Sequence, residues 1–326
     1  MNILYSSDDN YVRISMISIA SLLENNMEEK KINIYYIDDG ISYSNKEELV
    51  NLVKKFKRNL IFIESEKLNT EFIEKTNYPK AGYLRLLISN IISEDKIIYI
   101  DCDTLILGPL KEIWNIELSN YAVAGTLDTV QNYVATSIGM ETNERYINAG
   151  VLLLNLDYWR KNKIEDKIIK FFNQYNGRVP HHDQGVINGV LKNKILIMKP
   201  QYNLMSQFFI YKANELKKMY NLKNFYSQKQ INDAIDKPII VHFLNKFYGR
   251  PWELQCKHPL VLKYDEYAYK YSINLDKKYV KKNKKVLIGE TLYKLFPFSV
   301  YLFYEKMMDK KRFYYFRKEY LVSKND

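Results

Sequence analysis

Cysteine is almost missing from this chain. Cys102 and Cys256 are the only two in 326 residues, too few for a disulfide framework, and they fit a reducing compartment. Histidine is nearly as scarce, with four, which leaves little room for a structural zinc site. No window approaches the roughly 20 apolar residues that a membrane-spanning helix needs. The first nine residues, Met1 to Asp9, hold no basic region and only a short apolar stretch before two acids, so no secretory signal peptide is expected. Internal repeats are absent, and so are low-complexity linkers before residue 277. Apolar residues make up 47% and charged residues 27%, a globular rather than a disordered composition.

Charge is present in excess, and its location matters. The net formal charge is +11. From Lys277 to Asp326 there are 14 Lys or Arg against 5 Asp or Glu, together with 12 aromatic residues. The basic character therefore belongs to a C-terminal extension, and the Lys-rich patch at 277–285 marks the expected boundary between a domain at 1–276 and an extension at 277–326. Cationic and aromatic residues interleaved in this way fit attachment to an anionic bilayer. Nucleic-acid binding has charge in its favour but no supporting motif, and is not expected.

Short apolar runs alternate with helical periodicity. Strands are expected at 2–5, 32–37, 60–63, 96–100, 149–156, 194–198 and 239–243. Helices are expected at 11–26, from a capping box at Ser44-Asn45-Lys46-Glu47 to about Arg58, and at 81–92, 157–175 and 182–191. This alternation predicts an α/β fold with a mainly parallel central sheet flanked by helices. Lys96 to Ile100 is apolar on both faces, as in a central strand.

Ligands in open α/β sheets collect beyond the carboxyl ends of strands. Asp8 and Asn10 follow the first strand there, Asp101 and Asp103 follow the central one, Asn148 opens the run at 149–156, and His242 ends the last strand. Asp101 and Asp103, two residues apart, can approach one cation if the chain turns just after the strand. Two carboxylates, an imidazole and a substrate diphosphate suit Mn²⁺ or Mg²⁺. Each residue also has a plain structural role to offer: Asp8 and Asn10 as helix caps, His242 as a buried structural histidine, and Arg85 as half of a surface ion pair.

The segments Ser7-Asp8-Asp9-Asn10, Tyr83-Leu84-Arg85-Leu86, Ile98 through Thr104, Tyr146 through Leu153, His182-Asp183-Gln184, Tyr202-Asn203, and His242-Phe243 with Pro251-Trp252 stand in an order that resembles glycosyltransferase family 8. Its members are retaining galactosyl- and glucosyltransferases, including bacterial lipooligosaccharide enzymes and the glycogenins. The resemblance spans roughly the first 255 residues. It implies a GT-A fold, a UDP-glucose or UDP-galactose donor, and a glycan or glycolipid acceptor at the bacterial cell surface. It also implies Asp101, Asp103 and His242 as metal ligands. Asp8 and Asn10 would lie at the uridine side, with Ser7 beside them. Arg85, Asn148, Ala149, Asp183 and Gln184 would face the donor sugar. Gln184 and Asp183 would stand nearest the reaction centre.

The family commonly shows His-x-x-Gly-x-x-Lys-Pro-Trp. This chain is two residues longer between His242 and Trp252, with Asn245 where glycine is usual and Arg250 before the proline. Asn245 and Arg250 are therefore expected on the donor side, Arg250 as the diphosphate contact, with Lys246 the other basic residue of the loop. A peripheral location on the cytoplasmic face of the membrane follows from the extension. Two other readings compete. Asp-x-Asp after an apolar strand also occurs in haloacid-dehalogenase phosphatases, but Leu105 stands where those need Thr or Val. A non-catalytic nucleotide-sugar-binding or scaffold protein is the second alternative.

Overall fold

The computed structural model describes residues 1–68, 70, 79–142 and 144–321; residues 322–326, counted above with the basic extension, lie outside them. Ten strands form two sheets. They are β1 (Asn2–Ser7), β2 (Asn33–Asp38), β3 (Asn59–Glu64), β4 (Lys96–Ile100), β5 (Thr104–Ile106), β6 (Val123–Leu127), β7 (Ile147–Asn155), β8 (Ile195–Ile197), β9 (Leu204–Met205) and β10 (Ile240–His242). The larger sheet runs β3-β2-β1-β4-β7-β6-β8 and the smaller β5-β10-β9. Within the larger sheet only β7 is reversed, pairing antiparallel with both β4 and β6. The α/β architecture with a mostly parallel sheet is thus as expected.

Residues 3–5 and 97–100 are wholly shielded, because helices cover both faces of the sheet. One side carries the Val12–Glu24 helix. It buries Ser15, Ser18 and Ser21, a polar stripe at helical spacing that would be costly unless bonded. Ser18 Oγ meets Thr104 Oγ1 at 2.7 Å and Tyr5 OH at 2.8 Å, and Ser21 Oγ accepts the Ile106 amide at 3.0 Å. These bonds fasten β5, and with it the small sheet, to the main body.

Several boundaries differ from the pattern. The second helix spans Tyr43–Lys55, and its cap is Ser42, whose side chain accepts from the Asn45 amide, so Ser44 lies inside the helix. The expected helix at 81–92 is α-helical only over Lys80–Leu84. Turns follow, closed by Leu86 N–H to Tyr83 O and Leu87 N–H to Leu84 O, and the leucines there are buried on every side rather than along one stripe. The helix expected at 157–175 is two, Leu156–Lys161 and Ile164–Gln174, broken where Lys163 takes φ 50°. β5, β6 and β9 have no clear sequence signal, being short or carrying Gly125 and Thr126.

The C-terminal helices Lys284–Leu295 and Phe298–Phe316 pack on the α/β body. Tyr301 is fully buried within the main core cluster, 2.6 Å from the Tyr211 hydroxyl. Tyr133 OH donates to Asp309 at 3.1 Å and its ring meets Phe313 and Phe316. No helix among the described residues is long and apolar enough to cross a membrane.

Candidate functional site

The chain leaves the large sheet at Ile100 and enters the small one at Thr104, so Asp101, Cys102 and Asp103 form the turn between the two sheets. Asp101 N–H still donates to Gly150 O at 2.7 Å, one step beyond the β4–β7 ladder. Thr104 Oγ1 closes the turn by donating to Asp101 O at 2.9 Å. The antiparallel register of β5 with β10 sets His242 opposite Thr104, and Phe243 N–H donates to Asp103 O at 2.9 Å. Backbone pairing therefore carries a residue about 140 positions downstream to the carboxylate pair.

His242 Nε2 lies 3.0 Å from Asp103 Oδ1 and 3.7 Å from Asp101 Oδ2. One ligand atom from each of the three residues falls within 4.8 Å of the others. Nδ1 of His242 sits 3.0 Å from Asn203 Oδ1. That amide oxygen can only accept, which places the proton on Nδ1 and leaves the Nε2 lone pair facing the carboxylates, as a metal-binding imidazole requires. The donor set is hard oxygen plus one nitrogen, and it fits Mn²⁺ or Mg²⁺. Burial works against charge on the imidazole, but Asp103 and Asp101 outweigh it and raise its pKa. For Asp103 burial likewise opposes charge, and His242 nonetheless holds the carboxyl below its usual range. Cys102, between the acids, is not a ligand. Burial and then the neighbouring Asp101 push its thiol well up, and Sγ points at Ser6 O, 3.4 Å away.

Arg85 is buried and links the parts of the site. Its Nη1 donates to Asp101 Oδ1 at 2.9 Å and to Ala149 O at 2.8 Å, and Nη2 lies 3.0 Å from Asp183 Oδ2. The Tyr99 ring stacks 4.1 Å below the guanidinium, and its hydroxyl donates to Asp101 Oδ1 at 2.6 Å. Burial pushes Asp183 up to about 6, with Arg85 pulling in the other direction.

Gln184 and Asn148 form the adjoining network. Gln184 Oε1 accepts from Ala149 N–H at 3.0 Å and Asn148 Nδ2 at 3.2 Å, while its Nε2 donates to Asp128 Oδ2 at 3.0 Å. Asn148 Oδ1 accepts from Asn203 Nδ2 at 2.8 Å. A continuous chain of hydrogen bonds thus runs from Gln184 through Asn148 and Asn203 to the ring of His242. Asp128, Asn203 and Tyr99 are given no site role by the sequence, although Asn203 and Tyr99 lie in the segments that carry the family resemblance. Asp128 follows the weakly signalled β6, Asn203 stands just before the two-residue β9, and Tyr99 looks like any aromatic in a core strand.

A cavity of about 370 Å³ opens beside these candidate ligands, lined by Asp8, Tyr11, Arg85, Asp101, Asp103 and Arg250 among others. Arg250 Nη1 stands 3.9 Å from Asp103 Oδ2, donates to Tyr11 OH at 2.8 Å, and its guanidinium covers the Trp252 ring. Asp8 lines the cavity and closes the turn ahead of the Val12–Glu24 helix, its Oδ1 accepting from the Asn10 and Tyr11 amides. It does not cap that helix, whose N-cap Tyr11 makes no side-chain cap bond. Asn10 is exposed at the rim, its side chain donating to Asp8 at 3.3 Å. Ser7 lines the wall, but its hydroxyl turns inward to Tyr36 OH at 2.7 Å. Asn245 and Lys246 are placed elsewhere: they line a second cavity against the C-terminal helices.

Asn203 is a positioning residue for His242, and replacing it by alanine is expected to lower Mn²⁺ affinity roughly 10- to 100-fold, the usual effect of losing a partner that orients a ligand. Titration of the purified variant with Mn²⁺ checks this, and unchanged affinity would show that the imidazole needs no such support.

A sheet of this order, with a turn carrying Asp101 and Asp103 between its two parts, is a GT-A fold. The galactosyltransferase LgtC, solved with donor and acceptor sugar analogues, shares it with a TM-score of 0.70 at 24% identity, over 83% of this chain and 96% of that one. The chain belongs to glycosyl transferase family 8, whose sequence pattern matches residues 2–256. Among curated relatives, general stress protein A of Bacillus subtilis (strain 168) is 29% identical over 82% of this chain and 92% of its own length. The lipopolysaccharide 1,3-galactosyltransferase of Salmonella typhimurium (strain LT2) is 25% identical over 79% of this chain and 75% of its own.

Proposed function

We propose that this glycosyltransferase moves glucose or galactose from a UDP-sugar, with retention at the anomeric carbon, onto a cell-surface glycan or lipid-linked acceptor. The observation that carries this reading is the convergence of Asp101, Asp103 and His242 on one point at the edge of a cavity that also holds Arg250. A divalent cation held by those three residues would supply positive charge where a diphosphate leaving group develops negative charge. Arg250 adds a fixed cation on the same side, with a guanidinium fork suited to phosphate oxygens. Asp8 and Asn10 are assigned to the uridine end, and Arg85, Asn148, Ala149, Asp183 and Gln184 to the sugar.

The side-chain environment of the last two bears on retention. The carbonyl oxygen of Gln184 already accepts two hydrogen bonds, and an amide is a poor nucleophile. Asp183 is buried against Arg85. A front-side displacement, in which the acceptor enters on the face that UDP leaves, therefore suits the site better than a covalent intermediate on Asp183. Trapping a glycosyl–Asp183 adduct would overturn that preference. The reaction class is tested by UDP release from a panel of UDP-sugars with Mn²⁺ or with EDTA. Turnover with one donor, abolished by EDTA, is expected. Neither binding nor turnover with any donor would sink the proposal.

The extension at 277–326 is assigned to the cytoplasmic face of an anionic membrane. Leu295 and Phe303 are each 74% exposed, unusual for large apolar side chains on helices that also carry Lys294, Lys306 and Lys310. Because Tyr301 is part of the core, deletion from residue 277 would open the fold, and surface substitutions make the cleaner test. A Leu295→Ser, Phe303→Ser double variant is expected to bind anionic vesicles at least about tenfold more weakly, since each inserted side chain contributes on the order of 1.5–3 kcal/mol. UDP release should be unchanged. Equal vesicle binding by the variant would remove these residues from any membrane contact.

A further inference from the structure

The loop that follows His242 carries two cations, and they serve different cavities. Arg250 faces the metal ligands. Lys246 faces a separate cavity of about 360 Å³ between this loop and the C-terminal helices. We propose that this second cavity is a binding site for a phosphate ester.

Three cationic side chains from three segments line it: Lys246 from the loop, Lys285 from the first turn of the Lys284–Leu295 helix, and Arg312 from the Phe298–Phe316 helix. Arg312 is balanced by Glu305, its Nη2 lying 2.9 Å from Glu305 Oε2. Lys246 and Lys285 have no carboxylate within ion-pair distance among the described residues. Lys246 instead lies 5.6 Å above the Tyr211 ring. The net charge presented to the cavity is therefore positive by about two, and that charge is unmatched by the protein itself.

The Lys284–Leu295 helix adds to this. Its cap residue Asn283 lines the cavity and accepts the Lys285 amide at 2.9 Å, so the positive end of a 12-residue helix opens on the same space. Phe247 and Met308 provide apolar wall. Two unpaired ammonium groups on opposing segments suit a tetrahedral group with several charged oxygens better than a planar carboxylate, which one arginine fork would satisfy. The apolar wall suits the carbon side of an ester. A lipid headgroup and a soluble sugar phosphate share this chemistry.

The position explains an otherwise odd feature of the chain. The segment from His242 to Trp252 is two residues longer than in the family pattern. The extra length lets one side of the loop reach the metal site while the other closes the second cavity, with Gly249 taking φ 75° at the turn. A phosphate bound by Lys246 would thus be held by the same short loop that presents Arg250 to the donor.

The test is binding, not transfer, so it stands or falls separately from the reaction proposed above. Full-length protein is titrated calorimetrically with glycerol 3-phosphate and with inorganic phosphate, and floated with phosphatidylglycerol or phosphatidylcholine vesicles. A Lys246→Gln, Lys285→Gln variant is compared with Lys306→Gln, Lys310→Gln, which removes the same charge from exposed positions outside the cavity. Glycerol 3-phosphate affinity is expected to fall at least about tenfold in the first pair, as charged hydrogen bonds to phosphate are lost, and less than about threefold in the second. UDP affinity with Mn²⁺ should hold in both. A parallel fall in phosphatidylglycerol flotation assigns the site to a lipid headgroup; a fall confined to the soluble ligand assigns it to a soluble ester. Equal losses in the two pairs, or no glycerol phosphate binding by the wild type, would overturn the proposal.

Discussion

Asp103→Ala is expected to lose at least about a hundredfold in transfer while remaining folded, because removing a preorganised electrostatic partner from a site of this kind typically costs on that scale. The argument for retained folding is local. Asp103 holds β10 through its backbone, with Phe243 N–H donating to its carbonyl, and alanine keeps that bond. Thr104 and the Asp101 carbonyl keep the turn closed. What disappears is the carboxylate 3.0 Å from His242 Nε2, and with it one of three metal ligands. UDP release at saturating Mn²⁺, read beside a thermal melt, separates the outcomes. A loss below about tenfold would mean that Asp103 is not a ligand. A large loss together with a collapsed melt would put its role in the fold.

Gly150→Ala, a change of one methyl group, is expected to act on the same centre from the opposite side. Gly150 lies in β7 with no positive φ, so alanine fits its backbone and the cost arises from contact alone. A Cβ there would fall 2.2 Å from His242 Cε1, 2.7 Å from its Nδ1 and 2.9 Å from Asp101 Oδ2. His242 cannot yield cheaply, since it is buried and its Nδ1 is held by Asn203. The ring has to swing away from Asn203 and Asp103, or β7 has to shift against β4. Mn²⁺ affinity should fall at least about a hundredfold, comparable to the loss of a ligand and its orienting partner together, with about 1–3 kcal/mol of destabilisation from overpacking. Manganese titration and chemical denaturation measure the two effects. Wild-type metal affinity in this variant would contradict the three-ligand site, since the methyl group and a metal-binding imidazole cannot occupy the same space.

These two variants probe one physical fact. The candidate metal site is built by backbone pairing between elements distant in sequence, and its side chains have almost no slack. The same tightness recurs at Gly185, where a Cβ would fall 1.9 Å from the Pro180 carbonyl oxygen, directly after Asp183 and Gln184.

The comparison of sequence with structure divides along physical lines. Long-period signals were readable. The apolar run Lys96–Ile100 had to be a central strand, since nothing else buries both of its faces, and its end had to be a ligand-bearing edge. Asp101, Asp103 and His242 were legible as a candidate metal site because acid and imidazole residues stand at strand ends in family order, and the fold brings one ligand atom of each within 4.8 Å of the others. Arg250 was legible as the cation before Pro251. Asn245 was not placeable from pattern alone, because loop direction depends on where Gly249 turns and on what the C-terminal helices occupy. The capping side chain was misassigned by two residues, Ser42 and Ser44 being equivalent on paper and distinguished only by which one lies at the helix end.

By itself the sequence determined the alternation of strands and helices, the mainly parallel sheet, the family and the candidate metal ligands Asp101, Asp103 and His242, because burial periodicity and side-chain chemistry are local properties of a chain. Only the tertiary structure decided that Asn203 fixes the proton on His242, that Asp128 anchors Gln184, that Arg85 ties Asp101 to Asp183, and that Lys246 turns away from Arg250 toward a cavity of its own. Each of the first three is a relation between groups 16 to 98 residues apart. It depends on the register of β5 against β10, the reversal of β7, and the docking of helices whose aromatic residues, in sequence, look no different from a solvated basic tail.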